Sequence, residues 1–173
     1  MSNYRACAIS RNDIRAYVHK IKSMVGLEKN LYFPVVQFLE NILPILIPDF
    51  QVEYPTVAEM GNLHGETYPS RNLIRIREDI YLGAVAGKGR DRLTIAHEIG
   101  HLFLHEDDAI ALCRLEPGQK LKPYEDPEWQ ANAFGGELLA SSYLIKGMSE
   151  TEVQTRCGVS AAAAHCQLKA LHR

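Results

Sequence analysis

The stretch RDRLTIAHEIGHLFLH, residues 90–105, carries two histidines four positions apart with a glutamate directly after the first. Residues four apart share one face of an α-helix, so His97 and His101 offer two imidazoles to a single point, with Glu98 one step round. Leu93, Gly100 and Leu104 fall on the same side, which sets the two polar rings in an apolar stripe. Groups buried in such a stripe need a partner. A helix that spells this pattern by chance would have no reason to place its histidines there. The segment AGKGRDR before it supplies turn residues, and Asp91 is expected to cap a helix running from Arg92 to about His105.

Two imidazoles at this spacing suit one zinc ion per chain. Zinc takes nitrogen donors at about 2.0–2.1 Å and, in catalytic sites, usually keeps three protein ligands and one water. Glu98 is placed to act as the catalytic base, accepting the proton of that water and returning it to a leaving amine. The third ligand must come from elsewhere in the chain. His105 lies eight residues beyond His97, roughly 12 Å along a helix that rises about 1.5 Å per residue, and reads as a rim residue or a group behind the ligands.

A second helix offers carboxylates. Asp126-Pro127-Glu128 places Asp at a cap and Pro at the first helical position, opening a helix to about Ala140. At about 100° per residue, Glu128 shares a stripe with Asn132, Gly135 and Leu139, while Glu137 turns to the opposite side. Glu128 is the expected third ligand; its ordinary role would be to complement the helix dipole. Gly135 and Gly136 each cost about 1 kcal/mol relative to Ala inside a helix. Gly135, on the Glu128 stripe, would let this helix approach the His97 helix closely.

At this point the chain resembles the ImmA/IrrE-type metallopeptidases, small bacterial and phage zincins. The resemblance rests on RDRLTIAHEIGHLFLH, on EWQANAFGGELL (residues 128–139), and on IRIREDIY (residues 74–81), similar to a strand and turn leading into the motif helix. It implies His97, His101 and Glu128 as metal ligands and Glu98 as the catalytic residue. It also implies cleavage of a protein partner, typically a helix-turn-helix transcriptional repressor encoded nearby. Gly135 and Gly136 stand where small alanines are usual, and Ser141-Ser142 replaces the customary Met-Pro. The chain ends without the sensor domain some members carry, so it is not expected to detect a signal itself.

The expected fold is α+β, a small zincin-like domain that is mainly helical with a short mixed sheet. Residues 1–145 would form the metallopeptidase domain and 146–173 a helical, helix-turn-helix-like tail packed on it. Ser10 or Asn12 should cap a first helix carrying Ile14, Tyr17, Val18 and Ile21 to Gly26. A second, with Val35, Phe38, Leu39 and Ile42, should follow Pro34 and be ended by Pro44 and Pro48. Strands are expected at residues 50–54, roughly 59–64, and 72–77. From Ser149 two short helices should be separated by Gly158, with Ser160 capping the second.

Bulk properties fit one domain: 173 residues, 46% hydrophobic and 23% charged. A net charge of −2 provides no overall field for nucleic acid or anionic lipid. The longest apolar run, near Ile42–Ile47, is broken by Pro44 and is far short of the roughly 20 residues that span a bilayer. No secretory signal opens the chain, which points to the cytoplasm. Cys7, Cys113, Cys157 and Cys166 show no Cys-x-x-Cys spacing and read as free thiols.

Two further functions compete. The tail could contact DNA as a helix-turn-helix, but between Thr151 and Arg173 its fixed cations are Arg156, Lys169 and Arg173, few for phosphate attachment. The scaffold could also serve as a non-catalytic regulatory or antitoxin-like binding protein, although no ligand is missing. Tyr124, Tyr143, His64 and His105 are unranked candidates for stabilising the oxyanion. Substrate is expected to lie extended along a sheet edge near Asn72–Arg77.

Overall fold

Ser10 and Asp13 exchange hydrogen bonds between side chain and backbone, a capping box that starts α1 (Arg11–Met24). The helix buries Ile14, Val18 and Ile21, as its periodicity predicts, while Tyr17 stays partly exposed. The computed structural model describes residues 5–105 and 121–171. Within them the chain is mainly helical with one small mixed sheet, the expected α+β architecture.

The second helical region departs from expectation at Pro44. Here α2 (Val35–Gln37) runs through a π-helical turn (Phe38–Ile42) into α3 (Leu43–Leu46). The wide turn restarts the hydrogen-bond register, so Pro44 sits near the N-terminus of α3, where its missing N–H is not needed. Pro44 is therefore accommodated, and the helix ends just before Pro48.

β1 (Gln51–Glu53) follows, then a helical turn, α4 (Val57–Met60), where a strand was expected at residues 59–64. The cause is local: Thr56 and Glu59 form a second capping box, and Gly61 closes the turn with φ +57°. The strand lies further on as β2 (Gly65–Tyr68), before β3 (Leu73–Ile76). β3 is central in the order β1-β3-β2, parallel to β1 with Val52 opposite Ile74, and antiparallel to β2 with Thr67 opposite Ile74. Its Leu73, Ile74 and Ile76 are buried.

After β3 the chain enters α5 (Glu78–Val85), a helix the strand-and-turn reading of this region had not anticipated, with Glu78 and Asp79 at its positive end. Next comes α6 (Gly89–Leu104), which begins ahead of the expected start. Lys88 is the cap residue, and Asp91 sits buried in the first turn rather than capping it. α7 (Pro127–Leu139) starts as expected, Asp126 accepting from Glu128 N at 3.0 Å. α8 (Ser142–Ile145), α9 (Glu150–Cys157) and α10 (Ala161–Ala170) complete the chain, with Gly158 in the left-handed region and Ser160 capping α10.

One apolar core joins Ile74 and Ile76 to Ile95 and Ile99 of α6, Phe134 and Leu138 of α7, and Val153, Cys157 and Ala164 of the tail. Each large side chain fully buried there contributes about 1.5–3 kcal/mol. Arg92 of α6, itself buried, donates to Phe33 O at 2.6 Å and to the carbonyls of Cys157 and Gly158, with its guanidinium over the Tyr32 ring. The tail thus packs on α6 and α7 through its own buried residues. No disulfide forms among the described residues; Cys157 is buried, Cys166 exposed, and Cys113 lies outside them. Among the described residues no helix is long and apolar enough to cross a membrane.

Candidate metal centre

α6 and α7 are brought together by small residues. A Cβ on Gly100 would come within 3.1 Å of the Ala131 backbone, and one on Gly135 within 3.1 Å of His97 N. This near-contact of backbones carries Glu128, two turns before Gly135, to the face of α6 that holds the histidines. His97 Nε2 and His101 Nε2 are 2.9 Å apart, and Glu128 reaches them at 3.4 and 3.5 Å through its two oxygens. His97, His101 and Glu128 form the group among the described residues whose donor atoms all lie within 4.8 Å of one another.

The donor set fits a metal. His97 Nδ1 lies 3.2 Å from Asn132 Oδ1, while Asn132 Nδ2 donates to Glu128 O at 2.8 Å. With its amide nitrogen so occupied, Asn132 turns its oxygen to His97 and accepts from Nδ1–H, so Nε2 is the nitrogen that the neutral ring would offer to a metal. Donors 2.9–3.5 Å apart match corners of a tetrahedron with bonds of about 2.0–2.1 Å, which are about 3.3 Å apart.

Glu98 is only 7% exposed and lies against β2. Thr67 donates to its Oε2 at 2.7 Å, and Gly65 leaves it room: a Cβ there would fall 2.7 Å from Glu98 Cγ. Burial pushes the Glu98 carboxyl up, against the Thr67 hydrogen bond, which lowers it. Burial also pushes His101 down to about 3, helped by neighbouring His97 and His105, so this imidazole is neutral. For His97 burial acts downward, but its hydrogen bond to the Glu128 carboxylate and the charges of Glu98 and Glu128 outweigh it, and the net direction is upward. Glu128 is held below the usual carboxylate range, chiefly by its His97 hydrogen bond.

The site opens on two adjoining depressions of about 410 and 400 Å³ that share Leu63, Gly65, His97 and Glu98. Of the four oxyanion candidates, His64 lines this cleft; Tyr124 and Tyr143 do not, and His105 is buried behind His101. The substrate edge expected at Asn72–Arg77 is corrected: β3 is paired on both sides, and the strand bordering the cleft is β2. Thr67 and Gln130, which contact Glu98 and His105, went unread in the sequence. Nothing local marks Thr67, whereas Gln130 could have been suspected as a polar residue on the buried side of α7.

The sequence matches none of the curated proteins. A family model described as the IrrE N-terminal-like domain, of the M78 peptidases, matches residues 52–169, a span that takes in all of the sheet but Gln51, α6, α7 and most of the tail. Since that span covers well over half of the chain, the protein belongs to the IrrE N-terminal-like peptidase family, metallopeptidases of the ImmA/IrrE type.

Proposed function

We propose that this protein is a zinc-dependent endopeptidase in which His97, His101 and Glu128 hold one zinc ion and Glu98 is the catalytic base. The observation that carries the reading is the convergence of two imidazole nitrogens and a carboxylate on one point beside Glu98, on the wall of an open cleft. Zinc bound there would supply Lewis acidity, polarising a peptide carbonyl and bringing the pKa of a water towards neutrality. Glu98, fixed through Oε2 by Thr67, takes the proton on its other oxygen and passes it to the departing amine. Its burial favours the protonated form after the first transfer, which suits it to donate in the second. A substrate strand would lie along β2, where backbone pairing holds an extended peptide without regard to its sequence.

The family implies a protein substrate in general. A cytoplasmic helix-turn-helix repressor is our more specific reading, supported by the resemblance of the motif helices. The test is co-expression with a helix-turn-helix repressor drawn from the neighbouring genes, together with metal analysis of the purified chain. We expect close to one zinc per chain, lost in His97→Ala and His101→Ala. Glu98→Gln should keep the metal and lower cleavage by about 10²–10⁴-fold. Unchanged zinc in the double histidine variant, or wild-type cleavage by Glu98→Gln, would refute the assignment.

A further inference from the structure

His105 closes α6 and is only 2% exposed, and its proton can be located by starting from two main-chain carbonyls. Gln130, fully buried in α7, points Nε2 at Cys7 O (2.7 Å) and Tyr124 O (2.8 Å). Carbonyl oxygens only accept, so this end of the amide is the NH2 group and both its hydrogens are used. The other end is then Oε1, 2.8 Å from His105 Nε2, which must carry a hydrogen to donate to it. In a neutral imidazole the second nitrogen is a bare lone pair, and a ring only 2% exposed whose hydrogen-bond partners are an amide oxygen and another imidazole has no counter-charge to hold it as a cation. His105 Nδ1 therefore accepts, and the hydrogen across the 2.9 Å contact belongs to His101 Nδ1. His101 Nε2 is left as a lone pair facing His97 and Glu128.

We propose that Gln130 and His105 are positioning residues that fix the ring orientation and the metal-binding tautomer of His101 before any ion is bound. The relay is anchored on backbone, at the segment ahead of α1 and at the turn ahead of α7. It therefore ties the ligand to two parts of the chain, at Cys7 and Tyr124, that do not line the cleft. Its direction is imposed at the amide end: turning the Gln130 side chain over would set its carbonyl against those of Cys7 and Tyr124. Because the group behind His101 is a neutral imidazole rather than a carboxylate, it orients the ligand without adding charge to the site.

The inference rests on the zinc reading above, and its test separates the two. Zinc affinity is measured by competition with a chromophoric chelator for wild type, His105→Leu, His105→Asn and Gln130→Leu, with a thermal melt of each metal-free chain. His105→Leu and Gln130→Leu should weaken zinc about 10–100-fold. His105→Asn, whose amide oxygen can accept from His101 Nδ1–H, should recover a substantial part of the loss. Nitrogen-15 NMR of the metal-free wild-type chain reads the tautomers directly and does not depend on the variants folding. It should find protons on His101 Nδ1 and His105 Nε2, with His105 Nδ1 bare. A protonated His105 Nδ1, or wild-type affinity in His105→Leu, overturns the relay while leaving the zinc site standing. A wild-type chain that binds no zinc overturns both.

Discussion

The two ends of α7 each carry a glutamate, and the protein treats them in opposite ways. Glu137, 2% exposed, accepts from Ser142 N (2.7 Å), the Ser142 hydroxyl and Gln167 Nε2 (2.6 Å), with Arg15 Nε 3.9 Å away. Its charge is compensated wholly from within, by α1, α8 and α10. Glu128 has a side chain 52% exposed, and the groups facing its oxygens are two imidazoles that also face each other. A carboxylate whose partners are all supplied by the fold is doing structural work. One placed beside two imidazole nitrogens at a cleft leaves room for something the fold does not supply.

Exchanging the two roles should break this contrast most visibly. Glu128→Ala should weaken zinc binding by more than about 100-fold, beyond the usual cost of losing a group behind a ligand, while leaving the melt of the metal-free chain nearly unchanged. Glu137→Ala should do the reverse, lowering stability by about 3 kcal/mol in urea titrations as buried donors lose their acceptor, with zinc stoichiometry intact. If Glu137→Ala proved the variant that loses zinc, the phase assigned to α7 would be wrong.

The adjacent glycines sharpen the same comparison at smaller scale. A Cβ on Gly135 meets the backbone of His97 and Ala96 at 3.1–3.2 Å, so Gly135→Ala must move α6 and α7 apart by a few tenths of an ångström. We expect about a tenfold loss of zinc affinity, read by chelator competition. A Cβ on Gly136 meets only the end of the Gln167 side chain, at 2.9 Å. Gly136→Ala should leave zinc affinity unchanged and shift stability by less than about 1 kcal/mol, since helix propensity offsets the rearrangement.

An effect of pH rather than of metal is expected near the Glu137 end, at Lys22. Its ammonium is buried, donates to Ser141 Oγ at 2.9 Å, and is pushed down to about 8 by burial, with Cys157 and Glu137 partly opposing. Between about pH 8 and the ordinary lysine value of 10.5 the unfolded chain then binds more protons than the folded one, so stability rises with pH across that window. Below about pH 8 this contribution is flat. Urea midpoints at pH 7 and 9.5 should differ less in Lys22→Met than in wild type; equal differences would mean that Lys22 keeps its ordinary pKa.

What could be read from the sequence was what is written locally. The His97 helix, the Asp126 and Ser160 caps and the Gly158 break depend on residues within a turn of one another, and the structure reproduces them. The convergence of His97, His101 and Glu128 was legible because two helical phases sufficed to state it. Errors arose where a local signal was outvoted or overlooked. Residues 59–64 look strand-like by composition, yet the Thr56–Glu59 capping box turns the chain into a helix. Pro44 should stop a helix, but a π turn absorbs it. Thr67 behind Glu98 was beyond reach, since that contact joins elements whose packing no periodicity encodes, while Gln130 showed only as a polar residue on the buried side of α7, without its partner.

Arg92 bears on where this protein can be cut. Its guanidinium takes one acceptor from Phe33, ahead of the family-matched span of residues 52–169, and two from the Cys157–Gly158 corner within it. An excised fragment trimmed to the matched span would keep the helix bearing the histidines but strip Arg92 of its Phe33 acceptor and of the Tyr32 ring, stranding a cation in the core. The shortest piece that can be expected to stand alone therefore begins before Tyr32, and family boundaries drawn from sequence similarity understate the unit that folds.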